Sequence, residues 1–180
     1  MARLVLINGA PGSGKSTLAH LLAQDEPLTL ALDIDVIKHS LGQWDLDMNG
    51  AGQAARRLAV AMVVEQLSSG SDVIVGQFLA RPEFIEQLEA LASGHNADFV
   101  EVVLSVDQPG LRSRLEQRAV SPQRSEHLVN AALVTPSDVP ALVQTMEDLV
   151  ELRPSAVVID ANGSLTSTLQ LIRKSLTARS

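Results

Sequence analysis

The feature that most constrains this chain is a glycine-rich segment near its start. Residues 9–16 read Gly-Ala-Pro-Gly-Ser-Gly-Lys-Ser, which matches the pattern G-x-x-x-x-G-K-[ST]. An apolar run at 3–8 precedes the segment, and a helix with a leucine stripe is predicted directly after it at 15–24. A strand, this turn and a helix form the context in which the pattern cradles polyphosphates. We therefore predict that the segment binds a nucleoside triphosphate.

Each residue type in this segment has a physical role in that prediction. Glycines let backbone N–H groups converge on phosphate oxygens at a helix N-terminus, where the helix dipole favours negative charge. Lys15 would neutralise the β- and γ-phosphates, and Ser16 would hold Mg²⁺ through its hydroxyl. The nucleotide-binding residues predicted here are Gly9, Pro11, Gly12, Ser13, Gly14, Lys15, Ser16 and Thr17. The alternative is a plain turn with a surface lysine, which needs neither the Lys-Ser pair nor three glycines.

Apolar runs alternate with segments of helical periodicity along the rest of the chain. Further strands are predicted at 28–34, 72–78, 99–106 and 156–159, and helices at 51–67, 82–92 and 111–118. The helix at 51–67 is read with Ala54, Leu58 and Met62 on its apolar side, and Ser137 is read as the N-cap of a later helix. A final helix carries the stripe Leu165, Leu169, Ile172 and Leu176. This alternation predicts the α/β class, in three layers with helices on both faces of a mostly parallel sheet.

Length and composition bound what such a chain can be. At 180 residues it is expected to be a single domain, and 46% hydrophobic with 19% charged residues excludes disordered and fibrous classes. A net charge of -7 weighs against bulk nucleic acid and anionic membrane as partners. The absence of cysteine excludes disulfides and thiolate-held metals. These features, with no long apolar run, predict a cytoplasmic protein that is a monomer or a homodimer.

Two acidic residues end the second predicted strand. Phosphoryl transfer to an alcohol needs a group beside the γ-phosphate that orients the hydroxyl and accepts its proton. In an open α/β sheet that place lies outside the carboxyl ends of the strands, where Asp33 and Asp35 are predicted, with Lys38 one helical turn beyond. Either carboxylate could instead cap the following helix. Either carboxylate could accept the acceptor's proton or, with Ser16, hold Mg²⁺, and the residues alone leave these two roles open between Asp33 and Asp35.

Basic residues cluster around a polar stretch at 119–136 that is predicted to form a lid. The cluster consists of Arg112, Arg114, Arg118 and Arg124. Arg114 and Arg118 are four residues apart and therefore share one helix face. Arginines at a lid can cover the transferring phosphoryl group and stabilise its spread charge. Alternatively, Glu116 and neighbouring acids pair with these arginines on a solvated face, and Arg112 points elsewhere.

At these residues the chain resembles the small P-loop kinases of the nucleoside-monophosphate-kinase type. The resembling branch includes polynucleotide kinase, gluconate kinase, chloramphenicol phosphotransferase and the zeta toxins. The resemblance rests on residues 9–17, 32–38 and 158–164 and on Arg114-x-x-x-Arg118. It implies a five-stranded parallel sheet in the order 2-3-1-4-5, with a closing lid after the fourth strand.

The resemblance also implies roles for individual residues. It places the base for the acceptor hydroxyl at Asp35 and a substrate-facing cation at Lys38. It makes Arg118 and Arg124 lid arginines, and it sets the loop with Asn162 and Gly163 near the adenine. ATP and Mg²⁺ are the implied cofactors.

The chain departs from the family pattern in three places. The third strand ends in residues 75–78 without an acidic residue, so Mg²⁺ coordination falls to Ser16 and the Asp33/Asp35 pair. No Asn-Lys-x-Asp guanine-reading motif occurs, which argues against a GTPase. Lys38 stands where many relatives have arginine, and lysine cannot form a bidentate fork to a substrate phosphate. A phosphorylated acceptor is therefore less favoured.

The acceptor pocket is expected between the second strand's helix and the segment after the third strand. The residues predicted to contact the acceptor are Asp33, Asp35, Lys38, Trp44, Gln77, Phe78, Arg81 and Arg124. Trp44 and Phe78 could instead pack in the interior. One Trp, no Tyr and three Phe leave few platforms for stacking single-stranded nucleic acid.

These observations predict an ATP-dependent phosphotransferase acting on a hydroxyl of a small molecule, a metabolite or an antibiotic. A kinase for a nucleotide, a sugar nucleotide or a nucleic-acid 5′-hydroxyl is the first alternative. A non-catalytic nucleotide-binding regulator is the second, and it would be favoured if Asp35 served only as a helix cap.

Overall fold

The computed structural model of the protein describes residues 1–120 and 134–178. The strands are β1 (Arg3–Gly9), β2 (Leu30–Leu32), β3 (Val73–Gln77), β4 (Asp98–Ser105) and β5 (Val157–Asp160). The helices are α1 (Lys15–Leu22), α2 (Ile34–His39), α3 (Met48–Ser68), α4 (Pro82–Gly94), α5 (Gln108–Val120), α6 (Val139–Leu152) and α7 (Leu165–Thr177). Short 3-10 turns at Ala23–Asp25 and Pro136–Asp138 follow α1 and precede α6. None of the described helices is both long and apolar enough to span a bilayer.

The five strands form one parallel sheet in the order β2-β3-β1-β4-β5. This confirms both the predicted class and the strand order that the resemblance implied. β1 is central, and its residues from Leu4 to Gly9 are buried because helices cover both faces. The glycine-rich turn therefore leaves the sheet at its middle, at the carboxyl end of the strands.

The helices divide between the two faces of the sheet. α1 and α7 pack together on one face, and α3 and α4 pack together on the other. The helix layer formed by α1 and α7 lies very close to the sheet at Gly76. An added Cβ there would lie 3.0 Å from the Ala19 Cβ and 3.1 Å from the Lys15 carbonyl oxygen. A glycine in β3 thus lets the start of α1 rest directly on the sheet.

The apolar side of α3 differs from the prediction. Its buried residues are Ala51, Ala55, Ala59, Val63 and Leu67, whereas Leu58 is 46% and Met62 40% exposed. The predicted stripe of Ala54, Leu58 and Met62 was therefore wrong as a core face. Small side chains repeating every four residues let this helix lie close to its neighbours, and this packing decides which of two similar stripes is buried.

The second strand is also shorter than predicted. It ends at Leu32, and α2 begins at Ile34, so the strand prediction at 28–34 was wrong at both ends. Leu28 has a left-handed backbone with φ of 62°, which is incompatible with a strand. At the other end, the Asp33 carboxylate accepts the Asp35 N–H at 3.0 Å and starts a helix.

A similar correction applies before α6. Asp138, not Ser137, is at the N-cap position of α6, and Thr135 caps the short turn Pro136–Asp138 in a reciprocal capping box with Asp138. The helix that was predicted to follow is present as α6, and it buries Val139, Met146 and Leu149. Most of the predicted lid, including Arg124, lies outside the described residues.

A partly buried ion cluster links β4 and α4 to the residue that follows α6. The Arg153 guanidinium, after α6, donates to Glu101 of β4 at 2.9 Å and to Glu89 of α4 at 2.7 Å. The Glu101 side chain is 2% exposed, and burial raises the pKa of its carboxyl group, while the bond from Arg153 opposes that rise. Arg153 therefore carries the counter-charge that makes a buried carboxylate tolerable at the centre of the fold.

Replacing Arg153 with methionine is expected to lower the free energy of unfolding by about 3–5 kcal/mol at pH 7, because Glu101 would be buried without a partner. The loss should be smaller at pH 5, since protonating Glu101 relieves the penalty: a carboxyl with a raised folded pKa destabilises the fold as pH rises. The matched control is Arg173→Met, whose ion pair with Asp25 is exposed, with an expected loss under about 1 kcal/mol. Denaturant unfolding at both pH values measures the difference, and equal losses for the two variants would contradict it.

Candidate functional site

The glycine-rich turn is held between two helices that flank it. Gly12 and Gly14 have φ of 92° and 94°, a left-handed backbone that favours glycine. An added Cβ on Gly12 would lie 3.1 Å from Leu115 of α5, and one on Gly14 would lie 3.0 Å from Leu165 of α7. Both glycines are therefore required by conformation and by space, and α5 and α7 fix the turn from its two sides.

The turn also holds a buried hydroxyl with no partner. Ser13 is 1% exposed, and its Oγ makes no hydrogen bond within the described part of the chain. Its backbone N–H donates to the Ala10 carbonyl at 3.0 Å, which closes the turn. A buried unsatisfied hydroxyl at this place fits a loop that binds an anionic ligand, because phosphate oxygens could accept from it.

Lys15, the first residue of α1, is half-buried at the foot of the turn. The pKa of its ammonium group is lowered to about 8, chiefly by burial and in smaller part by the charge of Arg118. The carboxylates of Asp35 and Asp33 act in the opposite direction. Asp33, Asp35 and Arg118, which the sequence analysis predicted as site residues, therefore lie near enough to Lys15 for their charges to act on it. They belong to two other elements, the start of α2 and α5.

Asp33 and Asp35 reach this place because α2 starts directly at the sheet edge. Asp33 caps the helix, as the alternative reading allowed, and its second carboxylate oxygen is left for another ligand. Gln77, at the end of β3, accepts the Ile34 N–H at 3.3 Å. Gln77 was predicted to contact the acceptor. In the structure its side-chain Oε1 fixes the first turn of α2 and with it the position of Asp35.

The two arginines of α5 lie on one helix face, as their spacing predicted, but they differ in their surroundings. Arg118 is half-buried and its charge acts on Lys15. Arg114, one turn earlier, donates to backbone carbonyls of Ser13 and Gly163, both at 3.3 Å, and of Ala161. Its guanidinium is thus directed to the protein's own loops rather than to open space.

The loop between β5 and α7 is fixed by its own side chains. Asn162 donates from its backbone and its side chain to Asp160, and its Oδ1 accepts the Asp107 N–H at 2.9 Å. An added Cβ on Gly163 would lie 2.7 Å from the Ser167 Oγ. Asn162 and Gly163 were predicted near the adenine, and the structure gives both of them a part in shaping this loop beside the glycine-rich turn.

Lys38, His39 and Trp44 form a small cluster beyond Asp35. The His39 and Trp44 rings meet edge to face with centroids 4.4 Å apart, and the Lys38 ammonium lies 5.1 Å from the Trp44 ring centroid. This cation–π contact orients the lysine charge. Trp44 is half-buried, so one side of it remains open to a ligand.

The remaining predicted acceptor residues follow β3. Phe78 is half-buried and packs against the hydrophobic core, in keeping with the core alternative. Arg81 is exposed at the N-terminus of α4. Arg56 of α3 stacks over Phe84 at 5.8 Å, a contact that the sequence analysis did not include.

The main residue that the sequence analysis missed is Asn8, which is completely buried. Its Oδ1 accepts the N–H groups of Gly9 at 2.8 Å and Leu79 at 2.9 Å, and its Nδ2 donates to the Leu79 carbonyl at 3.0 Å. One amide thus joins the start of the glycine-rich turn to the loop after β3. A polar residue at the end of an otherwise apolar strand was the available signal.

Replacing Asn8 with alanine is expected to lower the free energy of unfolding by roughly 2–5 kcal/mol, because three backbone groups lose buried partners. Asn49→Ala, at an exposed position in α3, is the control and should change it by less than about 0.5 kcal/mol. Chemical denaturation of both variants measures the difference. An Asn8 variant as stable as wild type would show that the amide does not hold the two loops together.

The residues described fit a bound triphosphate and Mg²⁺ by their chemistry. The turn offers glycine backbone, an unpartnered hydroxyl and a lysine, and Asp33 and Asp35 offer carboxylates nearby. No group of three or more His, Cys, Asp and Glu in residues 1–120 and 134–178 is placed to hold a metal ion. Mg²⁺ commonly takes one or two carboxylates and completes its shell with phosphates and water.

Comparison with known proteins agrees with this arrangement. A family model described as an AAA domain matches residues 4–136, about three-quarters of the chain. The chain belongs to this AAA-domain family. No curated protein sequence matches the chain significantly.

Several solved structures share the P-loop kinase fold. A gluconokinase from Sinorhizobium meliloti 1021 has 18% identity and a TM-score of 0.63, over 99% of this chain and 97% of its own. The tunicamycin resistance protein of Deinococcus radiodurans has 16% identity and a TM-score of 0.68, over 98% and 96%. A deoxyadenosine kinase from M. mycoides has 17% identity and a TM-score of 0.58, over 98% and 100%. At such identities the likeness establishes the fold.

Proposed function

We propose that this protein is an ATP-dependent phosphotransferase that moves the γ-phosphate of ATP to a hydroxyl of a small molecule. The observation that carries the proposal is the glycine-rich turn with Lys15 at its end, near which the start of α2 brings Asp33 and Asp35 and α5 brings Arg118. A nucleotide-binding module that performs no transfer needs at most a carboxylate for Mg²⁺, whereas this site offers a second one. Family membership and the shared kinase fold support the same reading.

In this proposal Asp35 acts on the acceptor and the cations act on the phosphoryl group. Asp35 takes the proton of the acceptor hydroxyl as its oxygen bonds to the γ-phosphorus. The bond from that phosphorus to the β–γ bridging oxygen breaks, and ADP leaves. Lys15 and Arg118 stabilise the negative charge that spreads over the transferring oxygens.

Ser16 and Asp33 are the residues proposed to hold Mg²⁺. The Ser16 hydroxyl and the carboxylate oxygen of Asp33 that does not cap α2 are hard oxygen ligands, which this ion prefers. When bound, Mg²⁺ neutralises charge on the β- and γ-phosphates. The two carboxylates would then have different roles: Asp33 would bind the metal ion, and Asp35 would act on the acceptor.

The acceptor is proposed to lie against the Lys38–His39–Trp44 cluster. Lys38 and His39 lie on α2 with Asp35, and Trp44, which is half-buried, lies in the turn that follows this helix. An overall charge of -7 and the shortage of aromatic residues favour a small molecule over a polynucleotide. The fold neighbours include the deoxyadenosine kinase and also a structure of an RNA repair complex. Nucleosides and nucleic-acid ends are therefore the alternative acceptors to test.

The test is a transfer assay with ATP labelled at the γ-phosphate. Pooled metabolites and antibiotics that carry hydroxyls form one arm, and nucleosides with 5′-hydroxyl oligonucleotides form the other. We expect label to enter a compound of the first arm, which mass spectrometry would identify by the gain of one phosphate. Label entering only the second arm would replace the small-molecule acceptor with the alternative. Slow ATP hydrolysis that no compound accelerates would support the regulatory reading instead.

A further inference from the structure

We infer that Arg114 is a positioning residue that sets the phosphate-binding turn from behind, through the Ser13 carbonyl, rather than by touching the nucleotide. The inference rests on the nucleotide-binding part of the proposed function. It departs from the sequence analysis, which grouped Arg114 with the arginines that cover the phosphates. The reason is where its guanidinium donates in the structure.

The guanidinium of Arg114 links two loops that are distant in sequence. One nitrogen donates to the Ser13 carbonyl at 3.3 Å, and the other donates to the carbonyls of Ala161 and Gly163. Arginine suits this place because its planar fork presents several N–H groups in fixed directions. The turn after β1 and the loop after β5 are therefore held by one side chain from α5.

The hydrogen bond from Arg114 to the Ser13 carbonyl also fixes the direction of the Gly14 N–H group. A trans peptide unit is planar, so its C=O and N–H groups point in opposite directions. Holding the Ser13 carbonyl toward α5 therefore turns the Gly14 N–H away from α5. Gly14 is the N-cap of α1 with φ of 94°, at a point where glycine flexibility would otherwise allow the peptide to rotate.

A rotated peptide would harm anion binding in two ways. The Gly14 N–H would be lost as a donor, and the Ser13 carbonyl oxygen would present its partial negative charge to the phosphates. Arg114 removes both possibilities by occupying that oxygen. The packing of Leu115 and Leu111 of α5 on Gly12 holds the helix in register for this contact.

This role predicts a pattern of binding that an arginine contacting the base would not produce. An arginine that touches the base contributes to ATP binding but not to the binding of inorganic tripolyphosphate, which lacks the base and the ribose. An arginine that sets the turn contributes to both. For Arg114→Met we expect the affinity for ATP and for tripolyphosphate to fall by similar factors, each about 10-fold or more, as when a donor to a charged group is lost.

The experiment is calorimetric titration of the full-length protein with Mg²⁺–ATP and with Mg²⁺–tripolyphosphate. Arg112→Met is the matched control, because Arg112 is exposed on the same helix, and it should bind both ligands as wild type does. Arg114→Lys should recover only part of the loss, since one ammonium cannot reproduce the fork to three carbonyls. Circular dichroism and a thermal melt of each variant show whether the fold is retained.

The outcomes separate the inference from the proposed function. If wild type binds neither ligand, the nucleotide-binding proposal itself fails. If wild type binds both and Arg114→Met weakens ATP alone, Arg114 contacts the nucleotide directly and the positioning role is overturned. Unchanged binding of both ligands by a folded Arg114→Met would overturn it as well. Parallel loss of both ligands, with Arg112→Met unaffected and the salt dependence of binding the same as in wild type, supports it. A weaker salt dependence in Arg114→Met would show that its charge contacts the phosphates and would overturn the positioning role.

Discussion

Asp35→Asn is expected to reduce phosphoryl transfer about 10²–10⁴-fold while leaving the affinity for Mg²⁺–ATP within a few-fold of wild type. Asparagine keeps the size and the hydrogen-bonding shape of the side chain but cannot accept the acceptor's proton. Because α2 is capped by Asp33 and not by Asp35, the start of the helix should survive the change. Initial rates with the acceptor found in the transfer assay, together with calorimetric ATP binding, measure the two effects separately.

Asp33→Asn is the matched control for that variant. Asparagine is as good an N-cap as aspartate, so α2 should still begin at Ile34. Only the charge near Lys15 is lost, and we expect the variant to need a higher Mg²⁺ concentration for half-maximal rate. If Asp33→Asn abolished transfer and Asp35→Asn left it intact, the two carboxylates would have to exchange roles.

Lys15→Met is expected to lower turnover by about 10²-fold or more and, in the absence of ligand, to stabilise the fold. Turnover falls because the cation that neutralises the transferring phosphate is lost. Stability rises because the wild-type ammonium is held partly desolvated, which lowers its pKa from 10.5 to about 8. At pH 7 the gain in the free energy of unfolding should be about 1–3 kcal/mol.

The sign of this stability effect can be checked with pH. Between the folded pKa of about 8 and the unfolded value of 10.5, the unfolded chain binds more protons than the folded one. The free energy of unfolding of the wild type therefore rises with pH across that window, as Lys15 loses its proton in the folded state. Below the window, the destabilisation by the buried ammonium group is fully present. The stability difference between Lys15→Met and wild type should shrink from pH 7 to pH 10. Lys174→Met, at an exposed position of α7, is the control and should show no such trend.

The same group should couple nucleotide binding to protons. ATP favours the charged lysine, so at pH 8 binding should take up protons and affinity should decline as pH rises beyond that value. Calorimetry in buffers of different ionisation enthalpy measures the uptake, and Lys15→Met should abolish it. Equal proton uptake by the variant would assign the effect to another group.

How far each part of the site could be predicted depends on how local its causes are. Residues 9–17 were predicted correctly as a strand-to-helix turn because their glycines and their flanking runs lie within one short segment. The strand order was given only by the resemblance, and the structure confirms it. The sequence allowed two interpretations of Asp33, a helix N-cap or a functional carboxylate at a strand end. It could not choose between them, because Asp33 and Asp35 fit both.

The errors share a physical origin. Two stripes of α3 are equally apolar by pattern, and only packing against the sheet and α4 selects the alanine face. The roles of Asn8 and Arg114 depend on partners 71 and 101 residues away, Leu79 and Ser13, which no periodicity reveals. Polar side chains of this kind look like ordinary strand-end or surface residues until the chain is folded.

The amino-acid order alone was enough to specify a polyphosphate-binding turn, an alternating α/β chain and a short list of charged residues for chemistry. Folding decided which of those charges meet, because a parallel sheet brings strand ends from distant parts of the chain to one edge. It also decided which polar groups hold loops in place, since a buried donor or acceptor must find a partner wherever the fold brings one. Local conformation follows from neighbours in sequence, whereas the electrostatics of Lys15 follow from neighbours in space.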